Sequence, residues 1–257
     1  MKNLLFVLAM STVPHVAHAG PVIFTTENLV SLRDDVTDEA TTKFILALND
    51  VKVNPVYVYI DSPGGSIMSG NAITNAIKSS CKRVICITNF AASMAFSILQ
   101  SCTERYILDG AVVMQHEASF EMRGNLTKNR KTMEYIGKLA LKLNKDDAAR
   151  LGMDIITFMA AIHDDWWMVD DEIVTNRAAD GKIQVRCSVT LSRAREVHTL
   201  TSIYGQVTRT WSACPLAVFP ISVVYKMYPG VNVNDYNEWI KSLSFLDRDW
   251  KTRREVR

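Results

Sequence analysis

The segment "VYVYIDSPGGSIMSGNAI" (residues 56–73) has the pattern of a strand, a tight turn and a helix. Residues 56–60 are almost all apolar or aromatic, which is typical of a parallel strand covered on both faces. In the turn, Pro63 restricts φ, while Gly64 and Gly65 permit positive φ and a close approach by another backbone. The turn lacks the G-x-G-x-x-G spacing, and no G-K-[ST] follows it, so a phosphate cradle is disfavoured. The segment predicts one strand-turn-helix unit of an α/β domain.

Strands and helices alternate along the chain on both sides of this segment. Helices are predicted over 37–50, with Thr37 as N-cap, over 126–149 and over 154–163. Strand-like runs are "VIFTT" (22–26), "RVICIT" (83–88), "RYIL" (105–108) and "AVVMQH" (111–116), and another short strand, a helix and a closing strand follow over 166–187. This order predicts an α/β fold with a mainly parallel sheet flanked by helices.

A second strand-to-helix junction, "TNFAASMAFSIL" (88–99), carries Ser93 in the first turn of an apolar helix. Serine is an ordinary helix N-cap, and that reading suffices for most serines in this position. The same position suits a nucleophile, because free amides and the positive end of the helix dipole surround it. The amide of Met94 would then face a developing oxyanion.

A serine nucleophile needs a base and an acid that orients the base. His116 ends the strand "AVVMQH" at the carboxyl edge of the predicted sheet, where sites of open α/β folds form. Asp164 and Asp165 precede the aromatic segment "WWMV" and are the acidic candidates. Each residue alone is more often a cap, an edge residue or a turn, but together they form an ordered Ser, His, Asp set.

The first twenty residues, "MKNLLFVLAMSTVPHVAHAG", have the n-region, short apolar run and A-x-A site of a secretory signal peptide over 1–19. We therefore expect an exported protein, periplasmic or extracellular, that begins near Gly20 and has no transmembrane segment in the mature chain. The five cysteines leave at least one unpaired within the chain. Cys86, inside an apolar strand, is expected in the core.

Bulk properties exclude several function classes. The formal net charge is +2, so no nucleic-acid partner is predicted. No C-x-x-C pair occurs, and we predict neither a metal nor a cofactor. Residues 20–185 suffice for one α/β domain, and residues 186–257 form a C-terminal extension without an assigned role. Its apolar run "PLAVFPISVVYKMY" is expected to form strands or an irregular cap on the core rather than a membrane span.

The motifs S-P-G-G, A-S-M and a strand-ending histidine occur together in the order and near the spacing of one known family. From Val22 to Ile183 the chain resembles the proteolytic subunit of the Clp protease, the ClpP serine peptidases. The resemblance implies Ser93 as nucleophile, His116 as general base and Asp165 as the orienting acid. It assigns the oxyanion hole to the backbone amides of Gly65 and Met94.

The same resemblance implies a peptide or unfolded-protein substrate that binds in extended form. Its backbone would pair with Gly64 and Gly65 on one side and with Glu117 and Ala118 on the other. The long helix from Leu126 corresponds to the family's handle, which packs subunits into rings, so a homo-oligomer is expected. Because no ATP is available to an unfoldase outside the cytoplasm, we expect cleavage without ATP.

Three alternatives stand beside this interpretation. The chain could be a catalytically impaired ClpP-fold scaffold or binding protein, since the segment after His116 begins with Glu117 where the family usually has Gln-Pro. It could use a Ser-Lys dyad of the signal peptide peptidase A type, with Lys138 or Lys142 as base. The crotonase relatives of the superfamily, which act on acyl-CoA thioesters, rank last because the Ser, His, Asp set would then be a coincidence.

Overall fold

The computed structural model describes residues 20–119 and 123–243 of the 257-residue chain. The signal peptide predicted over 1–19 lies outside the described residues. Within the described ranges, no helix combines the length and the apolar character that crossing a membrane requires.

A six-stranded sheet forms the centre of the molecule. After the short strand β1 (Val22–Phe24), the sheet is built from β2 (Leu29–Arg33), β3 (Val56–Ser62), β4 (Val84–Ala92), β5 (Glu104–Gln115), β6 (Trp166–Val169) and β7 (Gly181–Lys182). Strands β2 to β5 are parallel neighbours in sequence order. Strand β6 runs antiparallel to β5, and β7 pairs in parallel with β5. The carboxyl ends of β2 to β5 therefore meet at one edge of the sheet.

Seven helices have defined bounds in the described ranges. They are α1 (Asp38–Asp50), α2 (Ile67–Ser79), α3 (Met94–Gln100), α4 (Leu126–Leu151), α5 (Ile155–Ile162), α6 (Asp171–Thr175) and α7 (Val189–Arg193). Thr37 caps α1 by accepting a hydrogen bond from the Ala40 amide, as the sequence predicts. The handle-like helix α4 begins after the N-cap Asn125 and ends at Gly152, whose φ of 72° suits a left-handed C-cap.

Apolar residues cover both faces of the central sheet. On one face, α1 to α5 pack their buried side chains, among them Phe44, Ile73, Phe96 and Phe158, against β2 to β6. On the other face lies a smaller cluster whose members are Val22, Phe24, Tyr59, Ile85, Ile87, Leu191 and Cys214. Because β3 and β4 are buried on both faces, their near-continuous apolar runs have a structural reason.

The C-terminal extension contributes to that second face. Strand β8 (Val185–Cys187) pairs in parallel with β1, so it runs across the domain boundary predicted between 185 and 186. Beyond it, β9 (Arg195–Thr201), β10 (Gly205–Ser212) and β11 (Ser222–Met227) form an antiparallel sheet in the order β11-β10-β9. A disulfide joins Cys187 to Cys214. Both cysteines belong to the extension, so the disulfide ties its later part to β8, and strand pairing and packing hold the extension on the α/β domain.

The mixed α/β architecture predicted from the sequence is confirmed, with differences in detail. The two strands predicted over 105–108 and 111–116 are one strand, β5, which passes through Gly110 with φ of 70°. Strand β2 was not predicted, because Ser31 and Arg33 interrupt its short apolar pattern. Cys86 lies in the core as expected, and it forms a disulfide with Cys102. Cys81 is exposed and unpaired.

Candidate active site

Ser93 stands at the sharp turn between β4 and α3. Its φ of 55° and ψ of −124° are an uncommon conformation for a residue other than glycine. The Ser93 amide donates a hydrogen bond of 2.8 Å to the Met114 carbonyl of β5, which holds the turn against the neighbouring strand. A strained serine at a strand-to-helix turn is the geometry of a nucleophile elbow, because the turn pushes the hydroxyl out of the sheet edge.

The imidazole of His116 meets the hydroxyl of Ser93. The parallel register of β4 and β5 aligns Ala92 with Met114, so the residues that follow these two reach the same edge of the sheet. There, the Nε2 atom of His116 lies 2.7 Å from Oγ of Ser93. This distance allows a direct proton transfer from the hydroxyl to the ring.

The glycine turn after β3 presses against the serine elbow. A Cβ at Gly64, whose φ is 93°, would lie 2.5 Å from the Ala92 carbonyl oxygen, so only glycine fits. The Gly64 carbonyl accepts a 2.7 Å hydrogen bond from the Val36 amide, and the Val36 carbonyl accepts one of 2.9 Å from the Ser66 amide. These bonds fix the turn from the side away from Ser93.

The oxyanion hole is predicted at the backbone amides of Gly65 and Met94. Among the described residues, neither the Gly65 nor the Met94 N–H donates a hydrogen bond. Met94 opens α3, where the first N–H groups of a helix have no intrahelical acceptor. Both groups therefore retain their capacity to bind an anionic oxygen beside Ser93.

The third predicted member, Asp165, directly precedes β6. The antiparallel pairing of β5 and β6 ends with Gln115 opposite Trp166, so His116 follows and Asp165 precedes the two residues of this last pair. Asp165 has a φ of 56° and is exposed. Within the described part of the chain, no hydrogen bond joins Asp164 or Asp165 to His116. Asp165 is the nearer of the two aspartates to β6 in sequence, and its choice as the orienting acid stays a prediction from the family resemblance.

Two of the four residues predicted to bind substrate, Gly64 and Gly65, line a surface cavity. A surface cavity of about 560 Å³ is lined by residues 35–38 and 63–66, which include Gly64 and Gly65. Across the site, Glu117 and Ala118 are exposed, and the Glu117 carboxylate lies 3.6 Å from Nδ1 of His163. The lining of this cavity includes none of Ser93, Glu117 and Ala118.

The lysines proposed for a dyad lie elsewhere. Lys138 is exposed on α4, and the ammonium of Lys142 pairs with Asp146 at 2.9 Å. Neither forms a hydrogen bond with Ser93 in the described structure. The described residues also contain no group of three or more His, Cys, Asp or Glu side chains placed to hold a metal ion.

Comparison with known proteins gives the family. The sequence profile described as Clp protease matches residues 22–180, which is more than half of the chain. The chain belongs to the Clp protease family. The match covers the whole central sheet except β7, together with α1 to α6, and it ends before the C-terminal extension.

Curated relatives agree with this assignment. The chain is 27% identical over 145 residues to the "ATP-dependent Clp protease proteolytic subunit 2" of Tropheryma whipplei, covering 55% of this chain and 81% of the relative. It is 28% identical over 143 residues to the subunit of the same name from Bacillus licheniformis, covering 54% and 75%. A "proteolytic subunit 3" from Streptomyces avermitilis is 33% identical over 95 residues, covering 36% of this chain and 43% of its own.

Sequence analysis missed a buried polar cluster directly behind the site, formed by Ser97, Gln115 and Asp147. The Ser97 hydroxyl donates to Oδ2 of Asp147 at 2.6 Å, and Nε2 of Gln115 reaches both the hydroxyl, at 3.1 Å, and the carboxylate, at 3.3 Å. Burial raises the pKa of Asp147 to about 7, although the hydrogen bonds from Ser97 and Gln115 oppose that shift. In the sequence, the only indication of this cluster is that polar residues interrupt apolar runs, and nothing in the sequence shows that these residues lie together.

Proposed function

We propose that this Clp protease family member is a serine endopeptidase with Ser93 as nucleophile and His116 as general base. The observation that carries the proposal is the 2.7 Å contact between Oγ of Ser93 and Nε2 of His116 at a strained elbow. Family membership supports peptide-bond hydrolysis as the reaction class. The residues match the roles of a Ser-His-Asp triad, with Asp165 as the acid that orients the imidazole.

The chemistry follows from the positions of these groups. His116 removes the Ser93 proton as Oγ attacks the substrate carbonyl carbon, and the unbonded amides of Gly65 and Met94 bind the oxygen that becomes negative. The imidazolium then protonates the leaving amine, and an acyl-enzyme remains on Ser93. Water, deprotonated by His116, attacks the ester and restores the free hydroxyl.

The substrate would be an extended peptide that lies over Ser93, between the glycine turn and the segment after His116. Backbone groups of Gly64 and Gly65 would pair with one side of it, and Glu117 and Ala118 would border the other. Glu117 adds a carboxylate to this border, so the cleft disfavours acidic side chains near the scissile bond.

The proposal includes the location of the protein, its assembly and its independence of ATP. The leader-like residues 1–19 support a periplasmic or extracellular location, where no ATP is available to an ATP-driven unfoldase. The protein would therefore cleave short peptides or unfolded chains without ATP, unlike the relatives whose names describe ATP-dependent proteases. Exposed apolar residues along α4, among them Met133, Tyr135 and Leu141, support a homo-oligomeric ring built on this helix.

Active-site labelling tests the function directly. A fluorophosphonate probe is expected to modify Ser93, and mass spectrometry of the labelled peptide identifies the residue. Ser93→Ala is expected to abolish labelling and peptide hydrolysis, and His116→Ala to lower both by about 10⁴-fold or more. Labelling that persists at the original rate in His116→Ala would exclude His116 as the base.

One observation favours a second candidate, a ClpP-fold scaffold without hydrolytic activity. The Asp165 carboxylate makes no hydrogen bond to His116 in the described structure, so the base lacks its orienting partner in this state. Apo geometry of this kind also occurs in competent enzymes, where the bond closes with substrate. If a broad peptide library yields no cleavage and the probe does not react, the scaffold is the better account.

A further inference from the structure

The Ser97–Gln115–Asp147 cluster joins three elements immediately behind the proposed active site. Ser97 lies one helical turn after Ser93 on α3, Gln115 is the last residue of β5, and Asp147 projects from α4. All three side chains are buried, with residue exposures of 4%, 4% and 2%. A carboxylate in such a place costs free energy unless every hydrogen bond is made.

The cluster continues to the backbone of the base. While Nε2 of Gln115 donates toward Ser97 and Asp147, its Oε1 atom accepts a 3.2 Å hydrogen bond from the His116 amide. The chain of bonds therefore runs from the handle-like helix, through the helix that carries the nucleophile, to the residue that carries the imidazole. An amide side chain can serve both ends only while Asp147 and Ser97 hold its nitrogen inward.

We infer that Asp147 is a positioning residue, which acts through Ser97 and Gln115 to set the distance between the Ser93 hydroxyl and the His116 imidazole. This inference rests on the proposed function. Without an acceptor at position 147, the Gln115 amide is free to turn over and present its nitrogen to the His116 N–H, where two donors would face each other. The end of β5 would then shift relative to α3, and the 2.7 Å contact would lengthen.

The charge state of Asp147 modulates this positioning. The ionised carboxylate accepts the bonds from Ser97 and Gln115 more strongly than the neutral acid, because charge assistance roughly doubles their strength. Ser97 from α3 and Gln115 from β5 bond to the carboxylate, and the charges of Lys78 from α2 and Asp146 from α4 act on it. Gln100 of α3 and Arg150 of α4 line the same surface cavity. Lys78 favours the ionised form, whereas Asp146 and burial oppose it. Network strength is thus expected to rise as the pH passes through about 7.

The experiment compares full-length wild type with Asp147→Asn, measuring the second-order rate of fluorophosphonate labelling from pH 5.5 to 8.5. Asn keeps the shape and one acceptor oxygen but cannot ionise. The ratio of wild-type to variant rate is expected to be near one at pH 5.5, where Asp147 is neutral, and about tenfold at pH 8.5. Any pH dependence that the two proteins share cancels from this ratio.

Two further variants complete the design. Asp146→Asn removes a neighbouring carboxylate on the same helix that pairs with Lys78 and Lys142 at the surface, and it is expected to label within about twofold of wild type at pH 8.5. Ser97→Ala removes the central hydroxyl without adding bulk, and it is expected to label more slowly than wild type at pH 8.5. Melting temperatures of all variants establish that each is folded.

The outcomes separate the two proposals. If wild type is not labelled at Ser93, the proposed function fails. If wild type is labelled but its rate ratio to Asp147→Asn stays constant across the pH range, Asp147 has only a structural role and the inference is overturned. A Ser97→Ala protein that labels at the wild-type rate overturns it as well, even if Asp147→Asn does not fold. A ratio that rises with pH, together with slow Ser97→Ala, supports it.

Discussion

Gly64 packs against the turn that carries Ser93, and this contact leaves no volume for a side chain at position 64. The missing Cβ would collide with the Ala92 carbonyl oxygen, the Met94 amide nitrogen and Cβ of Ser93, all within 2.8 Å. The two turns can approach this closely only because Gly64 has no side chain.

Gly64→Ala is therefore expected to disturb both stability and the site. Positive φ alone costs an alanine about 1–2 kcal/mol, and overpacking against backbone adds about 1–3 kcal/mol. Gly110 offers the matched control, because its φ is 70° but a Cβ there meets nothing within 4 Å. Urea unfolding should show that Gly64→Ala loses clearly more free energy of unfolding than Gly110→Ala. Equal losses would mean that the turn relaxes away from Ser93.

Substitution of Asp165 and of Asp164 in turn tests which of the two orients the base. If Asp165 closes onto His116 when substrate binds, Asp165→Asn lowers kcat/KM by about 10²–10⁴-fold, because the imidazole loses both its tautomer and its counter-charge. Asp164, one residue further from the start of β6, is the control. Peptide hydrolysis by Asp164→Asn should stay within about threefold of wild type. The reverse ranking would assign the acid to Asp164.

At the scale of elements, α4 carries two adjacent carboxylates whose environments differ. Asp147 faces inward, and burial raises its pKa to about 7. Asp146 faces the surface, where burial also raises its pKa but hydrogen bonds from Lys78 and Lys142 outweigh that effect, so its pKa is lowered. One turn of one helix thus holds a carboxylate that favours the neutral form beside one that favours the charged form.

These shifts predict opposite effects of pH on stability. The folded state binds the Asp147 proton more tightly than the unfolded chain does. This proton therefore stabilises the fold fully below pH 3.8, the ordinary pKa of an aspartate, and the stabilisation is lost as the pH rises to the folded-state pKa of about 7. Melting temperatures measured from pH 4 to 8 should therefore fall in wild type relative to Asp147→Asn. The pKa of Asp146 is lowered, so its effect on stability has the opposite sign. The melting temperature of wild type should therefore rise relative to that of Asp146→Asn as the pH rises. Parallel curves for wild type and Asp147→Asn would show that the carboxyl titrates normally.

Across the whole molecule, the extension closes the second apolar face of the central sheet. Leu191 of α7 is 4% exposed and packs in the cluster that includes Phe24, Tyr59 and Ile85. Arg33, at the end of β2, lies 5.9 Å from the ring centroid of Trp211 in β10, a cation–π contact between the domain and the extension. The α/β domain and the extension are therefore expected to unfold together.

Leu191→Ala tests this cooperation. Truncating a buried leucine costs about 2–5 kcal/mol, because the transfer free energy and the residual cavity both count. Val189, in the same short helix but 65% exposed, is the control, and Val189→Ala should change the free energy of unfolding by less than about 0.5 kcal/mol. The measurement is denaturant unfolding followed by fluorescence and by fluorophosphonate labelling of Ser93. If Ser93 of the Leu191→Ala protein is still labelled at denaturant concentrations that unfold its extension, the α/β domain and the extension unfold independently.

The fold class and the order of the chemistry-bearing residues followed from the sequence alone. Apolar runs, glycine turns and caps act over a few residues, so the pattern predicted α1, β3, the elbow at Ser93 and the strand that ends at His116. The resemblance supplied roles for Ser93, His116 and Asp165 that composition and periodicity could not.

Only the tertiary structure decided what depends on contacts between distant segments. Strand β2 forms because β3 offers a partner, and the extension folds onto a face whose other half is contributed by β1, β3 and β4. Two contacts join residues from different elements. One is the approach of Nε2 of His116 to Oγ of Ser93, and the other is the meeting of Ser97, Gln115 and Asp147. A local pattern states which side chains reach an edge of the sheet, but distances between them are set by register and packing over the whole chain.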